Sequence, residues 1–368
     1  MKLSKKELEY CTTCPKLCRF ACPVANSEYR ESVTPWGKVS MLYYLSKDFV
    51  PHTSENYDLM YHCTNCLACR EFCEHQISVP DLLINGRNMA YEKSRHNKGL
   101  ERTLKNIKRH GSVFNEKLSE KIKSEFDTVY FSQSLKVQLF AGCVYTKNQF
   151  ESIKKAIFIL DRLGIDYVGI YSKDEFCCGL PLYSSGFSDE FSEYIEKVRR
   201  NFSGIKKIIA LCPACAYTLK SLYKQFDSPL RAEVLTFSEF ILPYIRSGFK
   251  NQKKICEHYA YHDPCYMSRY LNQTEEPRDV LKSTGAILTE FLWNKKNSIC
   301  CGGGGMHKAT NPETTRDIAI KRIDEYNATG AKALVTSCPT CIKTFKDANN
   351  ELPIKDIVDV VYEFLRQR

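Results

Sequence analysis

Long hydrophobic runs are missing from this 368-residue chain. No apolar stretch approaches the ~18 residues that span a bilayer. The opening MKLSKKELEYC has no apolar signal-peptide core. A cytoplasmic protein is expected, with peripheral association at the inner face of a membrane left open. Nucleic-acid motifs are also missing, so the formal charge of +10 is not read as a nucleic-acid signature. No flavin or nicotinamide fingerprint is present either. In the one glycine-rich run the position of the last fingerprint glycine is His307. Glycine totals 17, yet four stand together in ICCGGGG, residues 299–305. Four consecutive glycines are entropically costly, so this stretch calls for a chemical reason.

Cysteine is abundant, at 19 residues. Cytosolic thiols stay reduced, which points to metal or catalysis rather than disulfides, and the odd count points the same way. The cysteine map divides the chain into residues 1–95, a basic helical connector 96–130, and two further units, 131–250 and 251–368. The last two are a duplication. LKVQLFAGC ends at Cys143 and KKICEHYAYHDPC at Cys265. EFCCGLPLYSSG holds Cys177 and Cys178, and SICCGGGGMHKA holds Cys300 and Cys301. KKIIALCPAC ends at Cys215, and AKALVTSCPTC at Cys341. Three motifs in one order at offsets of 122, 123 and 126 residues mark two homologous halves.

The expected fold class is α+β. VQLFAG, KIIAL, EHYAYH and ALVTS are short apolar runs ahead of cysteines, as suits buried parallel strands. In KNQFESIKKAIFILDRLG, Ile153, Ile157, Leu160 and Leu163 fall at helical spacing, and Gly164 stops the helix. Cysteines then sit at the carboxyl ends of strands, where open α/β sheets bind ligands. The front segment reads as mainly α, with helical patterns in KVSMLYYLSKDF and VPDLLINGRNMAYEKS. Ten Lys or Arg lie between Lys93 and Lys123, with Arg102, Lys105, Lys108 and Arg109 near helical spacing. A solvated face accounts for them, as does a docking surface for an acidic partner or an anionic membrane.

The front cysteines are Cys11, Cys14, Cys18 and Cys22, then Cys63, Cys66, Cys69 and Cys73. The second run has the C-x2-C-x2-C-x3-C spacing of bacterial ferredoxins; the first widens one gap, and Glu74 stands where proline usually follows. Zinc is the alternative for any C-x2-C pair. The segment resembles a two-cluster ferredoxin, in which the fourth cysteine of each run serves the other cluster. That resemblance implies Cys11, Cys14, Cys18 and Cys73 on one cubane 4Fe–4S cluster, and Cys63, Cys66, Cys69 and Cys22 on a second.

Each repeat offers five thiols: Cys143, Cys177, Cys178, Cys212 and Cys215, then Cys265, Cys300, Cys301, Cys338 and Cys341. Five is one too many for an ordinary cubane, and adjacent thiolates suit neighbouring irons of a more open cluster. This pattern resembles the cysteine-rich CCG domain of heterodisulfide reductase catalytic subunits, and is similar to iron–sulfur subunits of anaerobic glycerol-3-phosphate dehydrogenase, glycolate oxidase and lactate-utilisation enzymes. The resemblance implies two non-cubane 4Fe–4S clusters that face each other, with Gly179, Gly302, Gly303 and Gly304 giving close backbone approach. A surface loop is the plainer account of those glycines. The expected function is that of an oxidoreductase subunit, carrying electrons for a flavoprotein or a quinone- or cytochrome-linked partner. The alternative is cleavage of a disulfide between the two non-cubane clusters, with a disulfide or thiol as substrate; a redox-sensing or scaffold module is a third. His262, His62 and His75 are expected in hydrogen-bonding, packing or surface roles, Pro213 and Pro339 as turn formers, and Cys256 as a buried free thiol.

Overall fold

The computed structural model describes residues 5–132, 134–249 and 252–367. The expected boundary at 250/251 lies outside them, as do the first four residues of the opening stretch. Up to residue 125 the described chain is helical. Thr34 caps the helix Pro35–Ser46, its hydroxyl accepting from the Gly37 N–H at 3.0 Å, with Pro35 at the first helical position. The helix Val79–Glu92 packs against it through Leu82, Leu83 and Gly86.

Two four-stranded parallel sheets follow. One comprises β1 (Val137–Phe140), β2 (Val168–Ile170), β3 (Lys207–Ala210) and β4 (Glu233–Thr236) in the order β2-β1-β3-β4. The other comprises β5 (His258–Tyr261), β6 (Ile287–Thr289), β7 (Ala333–Thr336) and β8 (Ile354–Asp356) in the equivalent order β6-β5-β7-β8. The duplication read from cysteine motifs is thus a duplication of topology. Val137 sits opposite Val168 and Lys207 in the first sheet, while Tyr259 sits opposite Leu288 and Ala333 in the second. The helix Phe150–Arg162 buries Ile153, Ala156, Ile157 and Leu160, and Gly164 follows at φ +71°.

The halves join as an internal two-fold pair. The helix after β1, Phe150–Arg162, packs on the helix after β8, Ile357–Arg366. Its counterpart after β5, Glu276–Ser283, packs on the helix after β4, Phe237–Gly248. Lys155–Asp359 and Arg246–Asp279, each at 2.5 Å, fasten the two reciprocal contacts. This is the isologous arrangement of a homodimer, built within one chain. No helix among the described residues is long and apolar enough to cross a membrane.

Candidate metal centres

The two front runs exchange their fourth cysteines. Cys11, Cys14, Cys18 and Cys73 line one small cavity, together with Tyr10, His75, Ile77, Val79 and Cys69, which borders both cavities. Cys22, Cys63, Cys66 and Cys69 line another, with Lys38, Val24 and Leu67. Burial, then the neighbouring Cys18, Cys14 and Cys73 thiols, pushes the Cys11 thiol up to about 12; burial and Cys73 push Cys18 up to about 11. Thiols crowded in a desolvated pocket resist ionisation unless a cation shares it. Cys22 occupies the N-cap position of the helix Pro23–Glu28, and the Ala25 N–H favours its thiolate against the penalty of burial.

Both five-thiol sets form, with one connectivity. In the first repeat Cys143 Sγ lies 3.9 Å from Cys177 Sγ. Cys178 touches Cys177 and Cys215, and Cys215 touches Cys212. In the second, Cys300 touches Cys265 and Cys301, Cys301 touches Cys341, and Cys341 touches Cys338. All ten are buried. Cys212 and Cys338 are N-caps, with Pro213 and Pro339 at the first helical positions, so these prolines start helices rather than merely shape turns. The Cys341 N–H points at Cys338 Sγ (3.4 Å), and the Gly179 and Gly302 N–H groups at Cys177 and Cys300 Sγ (both 3.4 Å).

The donor sets suit iron–sulfur clusters. They are rich in sulfur, desolvated and supplied with backbone N–H groups, and five thiols exceed what tetrahedral zinc takes. The 4Fe-4S dicluster domain family matches residues 7–77, and the cysteine-rich CCG domain family matches residues 137–220 and again 259–346. This chain belongs to the heterodisulfide reductase-like iron–sulfur oxidoreductases. It is 27% identical to a subunit of the CoM/CoB fumarate reductase of Methanothermobacter marburgensis, over 96% of this chain and 70% of that protein. It is 25% identical to a subunit of the dihydromethanophenazine:CoB–CoM heterodisulfide reductase of Methanosarcina mazei, over 98% and 94%. It is 24% identical to the EtfAB:quinone oxidoreductase of Syntrophomonas wolfei, over 83% of this chain and 46% of that protein.

In this oxidoreductase the four sulfur sets stand in single file. Cys18 and Cys69 of the two front sets are neighbours. Cys66 of the inner front set touches Cys300 of the second repeat. Cys212 and Cys338 lie near one another across the two repeats, in the neighbourhood of buried Tyr145, whose hydroxyl donates to Asp356 at 2.6 Å.

The tetraglycine has a more specific reason than room around a cluster. A Cβ on Gly304 would lie 2.4 Å from the Thr64 carbonyl oxygen, and one on Gly305 2.4 Å from that of Cys63. The run lets the loop lie directly on the CTNC backbone of the inner front set. Gly304→Ala is expected to cost about 1–3 kcal/mol through overpacking against a rigid carbonyl. Anaerobic urea unfolding of the iron-loaded protein checks this, with Gly248→Ala, whose Cβ would meet nothing within 4 Å, as control.

His262 hydrogen-bonds rather than standing apart. Its Nδ1 accepts from Arg322 Nε at 3.3 Å, which leaves the other ring nitrogen as donor, and the ring contacts Cys301. Burial holds its pKa below the ordinary range, so the ring is neutral. The corresponding residue three before the first repeat's cysteine is Phe140, so the two five-thiol sets differ chemically. His75 is exposed against the Tyr10 ring at 4.8 Å. Cys256, expected to be buried, is exposed, because it lies in the loop ahead of β5 rather than in the strand.

His62 is buried between Glu28 (2.7 Å) and Asp58 (3.2 Å). Burial would raise the Glu28 carboxyl, but donors from His62 and Arg30 outweigh it and hold the group at about 2. Burial would lower His62, but Asp58 and Glu28 outweigh that and raise it. The Glu28 contribution is present above ~4.3 and lost as pH falls toward 2; that of His62 is present below ~6.5 and lost as pH rises through its raised folded value. Glu28→Gln is therefore expected to cost about 1–2 kcal/mol near pH 5.5 and less near pH 8.5, read by denaturant unfolding at both.

Sequence reasoning missed Lys38, Arg87, Arg269 and the Asp263–Arg278 pair, all buried around the sulfur sets. The available signal was a single charge inside an apolar helical stretch, as in WGKVSMLYYL and LLINGRNMA.

Proposed function

We propose that this chain is the electron-transferring subunit of a flavin- or quinone-linked dehydrogenase, with cubane clusters on the two front sets and non-cubane clusters on the two five-thiol sets. Bound clusters supply one-electron carriers; the chain's contribution is to hold four sulfur sets in register. The observation that carries this reading is the single file, from partly exposed Cys14, Cys18 and Cys73 through Cys66–Cys300 to Cys338 and Cys212. The far end leads back to the surface. The Cys177 N–H donates to the carbonyl of Gly111 at 2.7 Å, and Gly111 ends the basic helix Glu101–His110. Leu104 and Ile107 of that helix face inward, while Arg102, Lys105, Lys108 and Arg109 are exposed. A redox partner at each end fits this layout, and the relatives named as subunits support the need for partners.

The experiment is anaerobic purification from the native source, with iron and sulfide analysis and identification of co-purifying flavin or haem proteins. Reversing Arg102, Lys105 and Arg109 to glutamate is expected to weaken partner coupling several-fold while iron content stays intact. Unchanged coupling removes the helix from the interface.

A second reading is favoured by one feature. Both five-thiol sets are complete, and Cys212 of one lies near Cys338 of the other. A disulfide cleaved there takes two electrons and two protons and leaves two thiols. Reduction of a small-molecule disulfide by the iron-loaded chain with an artificial donor selects this reading, and its absence rejects it.

A further inference from the structure

Buried cations surround the inner front set but not the outer one. Lys38 is 1% exposed, its Nζ lies 3.9 Å from Cys22 Sγ, and it donates to the His62 carbonyl at 2.6 Å. It lines the same small cavity as all four cysteines of the set, Cys22, Cys63, Cys66 and Cys69. Arg269 lies against Cys66, with one terminal nitrogen buried and unpartnered, and Arg87 lies against Cys63. The cavity of the outer set has no lysine or arginine in its lining. Lys16 reaches Cys14 only through its backbone N–H; its side chain pairs with Glu31 and lies over the Trp36 ring, partly in solvent.

This asymmetry has a redox consequence. A four-thiolate 4Fe–4S cluster carries about −2 when oxidised and one charge more when reduced. The inner set is fully buried, whereas Cys14, Cys18 and Cys73 of the outer set are partly exposed. Burial alone makes the inner position harder to reduce, so transfer inward runs uphill. A cation fixed in a low-dielectric site reverses that ordering. Arg269 is held by the carbonyls of Cys66, Lys296 and Ser298, and Arg87 by carbonyls of three parts of the chain, so both are structural ties as well. Among the described residues, the Lys38 ammonium donates to one oxygen, the His62 carbonyl.

We propose that Lys38 is a potential-setting residue: a fixed buried cation that raises the reduction potential of the centre on Cys22, Cys63, Cys66 and Cys69, so that it draws electrons from the centre on Cys11, Cys14, Cys18 and Cys73. This rests on the iron–sulfur reading of both front sets. The test is an EPR-monitored redox titration of the full chain purified without air, with iron and sulfide analysis and with Cys14→Ser to assign the outer signal. Lys38→Gln, which keeps a donor for His62 but removes the charge, is expected to lower the reduced-to-oxidised ratio of the inner centre about tenfold at the wild-type midpoint, a downward shift of about 59 mV for one electron. The outer signal stays in place, and Lys38→Arg stays near wild type. An inner signal that does not move, or two signals that move together, overturns the proposal. If Lys38→Gln fails to hold iron, the wild type decides. Raising salt should shift the outer midpoint and leave the inner one, because a buried charge is poorly screened; equal shifts overturn the proposal. A wild type without two front signals overturns the iron–sulfur reading instead.

Discussion

Replacing Arg87 with methionine should remove at least about 4 kcal/mol of stability, the largest single effect expected in this chain. Arg87 is fully buried. Its Nε donates to the Met60 carbonyl at 2.9 Å, Nη1 to those of Ser184 (2.5 Å) and Gly305 (3.0 Å), and Nη2 to that of Cys63 (3.2 Å). One guanidinium thereby ties the front segment to both repeats. Methionine matches much of its volume but none of its donors. Each buried carbonyl left unpaired costs about 1–3 kcal/mol, and four at the low end already reach a large share of the 5–15 kcal/mol by which domains are stable. Anaerobic denaturant unfolding of the iron-loaded protein reads the loss. Arg87→Lys keeps the charge but reaches fewer carbonyls, so it should fall between. A loss below ~1 kcal/mol for the methionine variant would show that water or neighbouring groups take over the carbonyls.

What the sequence made legible follows from where information is local. The cysteine sets were readable because spacing along the chain fixes which sulfurs a loop gathers. The central strands β1, β3, β5 and β7 were readable as apolar runs ahead of cysteines. Their neighbours β2, β4, β6 and β8 were not, and all four are edge strands. An edge strand is covered on fewer sides, so VGI, ILT and IKD are shorter than the central strands, and EVLT, ILT and IKD admit Glu233, Thr289 and Lys355. The buried cations were illegible for another reason. Arg87 contacts residues 97 and 218 positions away, and no local pattern encodes such partners. The same holds for the tetraglycine, whose close neighbour is the CTNC loop of the front segment.

The duplication itself poses the remaining test, because the two repeats solve one packing problem in opposite ways. In the second repeat Arg278 grips Asp263 with two bonds, 2.7 and 2.8 Å, both side chains 1% exposed, and reaches Glu290 at 2.7 Å. Asp263 also accepts from the Lys295 N–H at 2.7 Å, so the pair anchors both the HDPC loop of Cys265 and the segment leading to Cys300. At the repeat offset, the equivalent positions in the first half are Ala141 and Ala156, both buried. The ion pair is therefore replaceable as a unit but not piecemeal. Arg278→Met should cost about 3–5 kcal/mol, since it strands the Asp263 carboxylate in a low-dielectric site. Adding Asp263→Ala should return a substantial part of that loss, although the single Asp263→Ala removes a partner too. Denaturant midpoints of the four proteins in a double-mutant cycle measure the coupling. The second repeat's centre should also lose iron ahead of the first in Arg278→Met alone, because only its loops depend on the pair. Equal costs for the Arg278→Met and double variants would mean that Glu290 and the Thr274 carbonyl, not Asp263, carry the contribution of Arg278.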